Sequence, residues 1–355
     1  MKSTICIAED REVCEPSLKL LLLSLNTHCP RIAIHLFYPP ANERFLTWIK
    51  KCPQVNLQTD RLMKGYGWNI KPQAIMRLID QGFDEVIWID SDVIVTRDIG
   101  NIFGQLESDV VVATEDALGD ERDDGNALRA QLWGFQVGRV LPFGLNTGVL
   151  RVTKEHYHLI ERWWELLQSS AYRDFQNREW RQRPLHMLGD QDVLTALLTS
   201  REFSETRLHM LRRGKHILQF NGVYGYTVAE RVRKLFGGRP TFIHSFAGKP
   251  WSEPWRKEAS TDLREYIKKV YLDLSPYTLS AKQFRRELEC DTEWMEPHYK
   301  LSRFLRMLGM GNSALVGLPV AIFADLTRVL KYLRKAGRPN LSSLAPGGPE
   351  AASKL

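Results

Sequence analysis

Residues 85–95 read Glu-Val-Ile-Trp-Ile-Asp-Ser-Asp-Val-Ile-Val, two apolar runs split by Asp90-Ser91-Asp92. Val86, Ile87, Trp88 and Ile89 show no polar alternation, which is the pattern of a strand covered on both faces and points to a parallel sheet. Asp90 and Asp92 then fall where that strand leaves its sheet, and in an open α/β sheet this carboxyl edge is where ligands bind. Two carboxylates one residue apart can hold a hard divalent cation there, with open positions turned toward a phosphate. Such a pair is expected about once by chance in a chain of this length, and most are turns or caps. A second one is indeed present, Asp190-Gln191-Asp192. Apolar segments on both sides set the first apart.

The rest of the chain supplies the sheet that this reading needs. Strands are expected at 4–8, 31–38, 55–57, 86–89, 109–114, 145–152 and 240–245. Helices are expected at 17–25, 42–51, 70–81 (closed by Gly82), 154–168 (with Ile160, Trp163, Trp164 and Leu167 inward) and from Asp190 through Leu198. Alternation of strand and helix defines an α/β fold with a mainly parallel central sheet. Two stretches break the rhythm: about thirty residues after Thr114, read as a loop shaping the acceptor side, and 171–184, rich in arginine and aromatics. Asp190, following Gly189, reads as a natural helix N-cap.

The chain has 355 residues, 43% of them hydrophobic, enough for one large domain with an appendage. Its five cysteines have no CxxC spacing and an odd count, and residues 1–8 are too short an apolar stretch for a secretory signal, so a reducing cytoplasm is expected. The net charge of +7 is confined to one place. From residue 299 onward nine Lys or Arg face two acidic residues, leaving forty of each sign before it. A balanced body argues against nucleic-acid binding, and the segregated charge suggests a surface partner.

Six blocks together resemble retaining glycosyltransferase family 8 of the GT-A fold, which includes bacterial lipooligosaccharide galactosyltransferases and glycogenin. They are Ala8-Glu9-Asp10 after the first strand, the helix carrying Lys71, Asp90-Ser91-Asp92, Asn146-Thr147-Gly148-Val149-Leu150, Asp190-Gln191-Asp192-Val193-Leu194, and His244 through Gly248-Lys249-Pro250-Trp251. The last departs from the family by one residue fewer between its His and its Lys. The resemblance covers about residues 1–255 and implies a GT-A (Rossmann-like) nucleotide-diphospho-sugar transferase domain there. A helical extension at 256–298, a basic amphipathic segment at 299–338 and a disordered tail at 339–355 are expected to follow.

What the resemblance implies for the site is specific. Asp90, Asp92 and His244 would hold Mn²⁺, with Mg²⁺ the alternative, since Mg²⁺ rarely recruits nitrogen. Ala8, Asp10, Lys71, Ser91, Gly248 and Lys249 would join the two aspartates in binding the nucleotide sugar, with Lys71 and Lys249 as point charges for phosphate oxygens. Asp190 and Asn146 would orient sugar hydroxyls, and Gln191 would lie at the reactive face. An amide there is a poor nucleophile but stabilises an oxocarbenium-like carbon, so attack on the face the diphosphate leaves is favoured over a covalent intermediate. The expected reaction moves a hexose from UDP-Gal or UDP-Glc to a glycan or lipid-linked hydroxyl. A sugar nucleotidyltransferase and a non-catalytic nucleotide-sugar binder remain as alternatives; the first needs a glycine-rich loop after the first strand, which Ala8-Glu9-Asp10-Arg11-Glu12 does not supply.

Residues 313–324 are apolar but too short to span a bilayer, which takes about twenty residues. Residues 299–310 and 326–337 interleave Lys or Arg with large apolar side chains, as an interfacial helix would. Peripheral attachment to an anionic membrane surface, on its inner face, is the matching expectation.

Overall fold

A computed structural model of the chain describes residues 1–62, 67–116, 124–219, 226–246, 248–252, 262–309, 312 and 314–336. Its strands are β1 (Ser3–Ala8), β2 (Ile34–Phe37), β3 (Val55–Gln58), β4 (Glu85–Ile89), β5 (Val93–Val95), β6 (Val110–Glu115), β7 (Leu145–Thr153), β8 (Arg207–Leu211), β9 (Ile217–Gln219) and β10 (Phe242–His244). Seven form one sheet in the order β3-β2-β1-β4-β7-β6-β8, and β5-β10-β9 form a second. Within the large sheet only β7 is reversed, running antiparallel to β4 and β6, while the other pairs are parallel. The α/β architecture with a mainly parallel sheet is therefore present as expected.

Side-chain alternation sends β4 to two cores. Ile87 and Ile89 join the cluster around helix α1 (Glu15–His28), and Val86 and Trp88 join the cluster on the opposite face. That second face is covered by α3 (Lys71–Asp80), α6 (Tyr157–Gln168) and α8 (Asp190–Thr199); α2 (Glu43–Trp48) lies on the α1 side and α4 (Gly100–Phe103) follows β5. Helix α3 starts with Pro72 in its first turn, buries Ala74, Ile75 and Leu78, and is followed by Gly82 at φ +86°. Trp88 is 1% exposed, so its truncation to Ala would cost about 3–5 kcal/mol.

Several local expectations are corrected. The apolar residues after Asp92, to which the sequence assigns no element, form β5 in the other sheet: the chain turns at Asp90–Asp92, where the Val93 amide donates to Asp90 O at 3.1 Å. The irregular stretch after Thr114 contains α5 (Asp124–Leu132), and that at 171–184 contains α7 (Ser170–Gln176), short helices whose apolar spacing is too brief to stand out. In α6, Leu166 is buried and Trp164 only half-buried. Residues 318–324 of the apolar segment and 326–336 of the basic one lie on a single helix, Leu318–Ala336.

Beyond the sheet lie α9 (Val228–Gly237), α10 (Leu263–Asp273), α11 (Pro276–Ala281), α12 (Lys300–Leu308) and α13 (Leu318–Ala336). Tyr277, Ala281, Phe284, Leu288 and Trp294 pack into the same core as α1, and the Trp48 indole donates to Glu287 O at 2.7 Å. A smaller apolar cluster joins α10, α12 and α13. Among the described residues no helix is long and apolar enough to cross a membrane. The expected disordered tail, 339–355, lies outside the described residues.

Candidate active site

The turn at Asp90–Asp92 is made by the change of sheet. The Asp90 amide donates to Gly148 O at 2.8 Å, tying it to β7. Strand β10 runs antiparallel to β5 with His244 opposite Val93, and the Ser245 amide donates to Asp92 O at 3.0 Å. This register carries the imidazole to Asp92, Nε2 to Oδ1 3.2 Å. Asp90, Asp92 and His244 thus offer ligand atoms that all lie within 4.8 Å of one another. The set fits a divalent cation of borderline character: two carboxylates, one imidazole, and a buried His244 Nδ1 with no hydrogen-bond partner. Gly148 leaves the ring its place, because a Cβ there would stand 2.6 Å from His244 Cε1.

Lys249 forms an ion pair with the same Asp92 carboxylate, and its ammonium also donates to Ser245 O at 3.0 Å. Burial opposes ionisation of Asp92, but the charge of Lys249 and the hydrogen bonds from His244 and Lys249 outweigh it. The carboxyl is held well below the usual carboxylate range.

A second charged cluster adjoins the first. Lys71, 3% exposed, places its ammonium 3.1 Å from Asp90 Oδ1 and 3.3 Å from Asp190 Oδ2, and donates to Thr147 Oγ1 at 2.8 Å. Thr147 in turn donates to Asp190 Oδ2 at 2.8 Å. Lys71 is therefore an internal bridge between the two aspartate motifs. Burial alone would lower its pKa, yet Asp190 and Asp90 raise it, so it stays charged. Asp190 is pushed upward by burial, against the pull of Lys71.

Asp190 does not cap its helix. Gly189 occupies the N-cap position, and Asp192 reaches back to accept the Gly189 amide at 3.0 Å. This leaves the Asp190 side chain to Lys71 and Thr147. Asp192 also accepts from Arg129 Nε of α5 at 2.9 Å, and burial pushes its carboxyl up to about 7. Gln191 is oriented from two sides: Asn146 Nδ2 donates to its Oε1 at 3.0 Å, and its Nε2 donates to Asp116 Oδ2 at 3.3 Å.

The loop after β1 is organised by Glu9. Its carboxylate accepts the Asp10 and Arg11 amides, each at 3.0 Å, and the Ser91 hydroxyl at 2.5 Å. Ala8, Asp10, Lys71, Ser91, Asn146, Asp190, Gln191 and Lys249 all line one cleft with the Asp90–Asp92–His244 cluster, with about 280 Å³ of space. Of the anticipated residues Gly248 alone is absent from that lining. Its backbone packs on α10, where a Cβ would meet Leu272 Cδ2. Glu9, Thr147, Asp116 and Arg129 were not anticipated. Glu9 and Thr147 stand inside the motif blocks, so their position was visible but not their role; Asp116 and Arg129 carry no sequence signal.

No protein-family model matches the sequence, and no curated protein matches it. Solved structures do resemble it. The glycosyltransferase GlyE of Streptococcus pneumoniae TIGR4 is 14% identical with a TM-score of 0.42, over 82% of this chain and 65% of its own. The galactosyltransferase LgtC, solved with donor and acceptor sugar analogues, is 16% identical with a TM-score of 0.47, over 80% of this chain and 99% of its own. The bifunctional glycosyltransferase WbbM is 14% identical with a TM-score of 0.48, over 81% of this chain and 51% of its own. The chain thus spans about two thirds of GlyE and half of WbbM. At such low identity and TM-score, function rests on the cleft's own residues.

Proposed function

We propose that the chain is a metal-dependent retaining hexosyltransferase of the GT-A kind, using a UDP-hexose, galactose or glucose, and a glycan or lipid-linked hydroxyl acceptor. The observation that carries it is the meeting, in one cleft, of a three-ligand cation cluster with an ion-paired Asp190 and a braced Gln191. Asp90, Asp92 and His244 would hold Mn²⁺, and the bound cation supplies Lewis-acid stabilisation of the diphosphate leaving group. Lys249 sits at the same carboxylate and would turn to the phosphate oxygens once Asp92 engages a cation. Asp10 and Ala8, beside Ser91, border the space for the base and ribose.

Lys71 has a structural task beside the phosphate contact proposed for it. By bridging Asp90 and Asp190 it fixes the distance between the cation cluster and the groups that orient the hexose. Asn146 and Asp116 hold the Gln191 amide plane, and Oε1 keeps a second lone pair to face developing positive charge at the anomeric carbon. Asp190 is committed to Lys71 and Thr147, which favours front-face attack over a sugar–enzyme bond.

The nucleotidyltransferase alternative is disfavoured by Glu9: the loop amides that would cradle phosphate are already taken by its carboxylate. A thermal-shift panel of UDP, GDP, ADP and CMP, each with Mn²⁺ and again with EDTA, tests the proposal. Stabilisation by UDP only with Mn²⁺ supports it, and stabilisation by none of the four removes it.

A membrane-surface role for the C-terminal helices is a second reading. Phe304 and Met307 of α12 and Phe323, Leu326 and Leu330 of α13 are more than half exposed, with Lys300 and Arg303 beside them in sequence. Removal of residues 299–355 would then release the protein from anionic vesicles; unchanged co-sedimentation would sink this reading.

A further inference from the structure

The segment 171–184, with its arginines and aromatics, ends in an unusual display. Trp180 is 49% exposed and Trp68 is 45% exposed, and both line the same cleft as Gln191 and the cation cluster. Half-exposed tryptophans converging on a polar cleft are the mark of a binding surface rather than of a core.

Neither is loosely held. Arg183 donates from Nε to Arg178 O at 3.1 Å, from Nη1 to Gln176 Oε1 at 2.8 Å and Leu188 O at 3.1 Å, and from Nη2 to Gln176 O at 2.9 Å. One guanidinium thus cross-braces the turn that carries Trp180 and ties it to the residues just before Asp190. It also lies 5.6 Å from the Trp180 ring. On the other side the Tyr172 hydroxyl of α7 donates to Asn69 Oδ1 at 2.8 Å, next to Trp68. Preorganised apolar faces cost little ordering on binding, which is how a weak, exchanging ligand is held.

Resting on the transferase reading, we propose that Trp180 and Trp68 form the acceptor platform, on which the apolar C–H face of an acceptor pyranose stacks. On that reading the donor's polar parts would be met by buried groups of the cleft, Lys71, Asp190 and Asn146. An acceptor that arrives from solvent and leaves after each turnover is matched instead by the half-exposed rim. The class selected is a cyclic sugar with one continuous C–H face, such as a β-glucopyranoside or β-galactopyranoside, rather than an open-chain polyol or a bare phosphate.

Saturation-transfer NMR tests this on the full chain with UDP and Mn²⁺, using methyl β-D-glucopyranoside and methyl β-D-galactopyranoside as probes and sorbitol as control. The expected result is transfer to the protons of one ring face of at least one pyranoside and none to sorbitol. Trp180→Ala should weaken that binding about tenfold, and Trp180→Phe should restore most of it. No transfer to either pyranoside, equal transfer to sorbitol, or full binding in Trp180→Ala and Trp68→Ala would overturn the proposal. So would a Trp180→Ala variant that loses UDP-galactose or UDP-glucose affinity relative to UDP while keeping pyranoside binding, because the stacked ring would then be the donor's. Pyranoside binding that persists in a protein no nucleotide stabilises would leave the platform standing and remove the transferase reading.

Discussion

Asp92 and Asp190 are both buried in one cleft, yet their surroundings push them in opposite directions. Asp92 has the Lys249 ammonium and the His244 imidazole to itself, and is held firmly ionised despite burial. Asp190 shares a single ammonium, that of Lys71, with Asp90, and burial pushes its pKa up against that one partner. The contrast teaches that the cleft separates two tasks that the same residue type could perform. A cation ligand must be an anion at every working pH. A group that orients sugar hydroxyls needs only fixed hydrogen bonds, and can tolerate partial loss of charge.

The largest break in this contrast is removal of the shared cation. Lys71→Met leaves two carboxylates facing each other in a buried site, and should cost about 3 kcal/mol, measurable by urea unfolding near neutral pH. Part of that loss should return as acid protonates Asp190; a variant as stable as wild type at pH 8 would mean the bridge does not hold the site together. Next in size, Asp92→Asn should abolish the metal-dependent stabilisation by UDP, about 2.7 kcal/mol at a hundredfold excess over the dissociation constant. A surviving Mn²⁺-dependent shift would show that the cation is held elsewhere.

Gly148→Ala sharpens the comparison without deleting a ligand. The new methyl meets His244 and Asn146 Oδ1, so Mn²⁺ affinity should fall about 10- to 100-fold while the fold persists. Manganese titration followed by electron paramagnetic resonance would read this, and unaltered affinity would argue against His244 as a ligand. The smallest effect concerns pH. Asp192 has its folded pKa raised to about 7 from 3.8, so the stability it contributes is fully present below about 4 and is lost as pH rises through 7. Asp192→Asn should flatten the melting temperature between pH 5 and 8 by about 2 °C, and an unchanged slope would locate that dependence in another group.

The α/β class, the strand that delivers Asp90, and the motif blocks around the cleft were legible in the sequence, because parallel strands covered on both faces carry uninterrupted apolar runs. So was the approximate end of α3, since Gly82 marks it locally. Charge segregation at the C-terminus was a matter of counting. Helices α5 and α7 were not legible: a helix of two turns held by tertiary contacts leaves little periodicity.

What only the tertiary structure decided is how the blocks divide their work. The motif blocks offer Lys71 only as a point charge for phosphate oxygens; that it also bridges Asp90 to Asp190 follows from α3 packing beside β4 and α8. The sequence suggests Asp190 as a cap, yet Asp192 does the capping because only its side chain curls back to the Gly189 amide. His244 reaches Asp92 because β5 leaves one sheet for another and pairs with β10, a long-range register that no local pattern encodes. Residue types are chosen along the chain, and their partners are chosen across it.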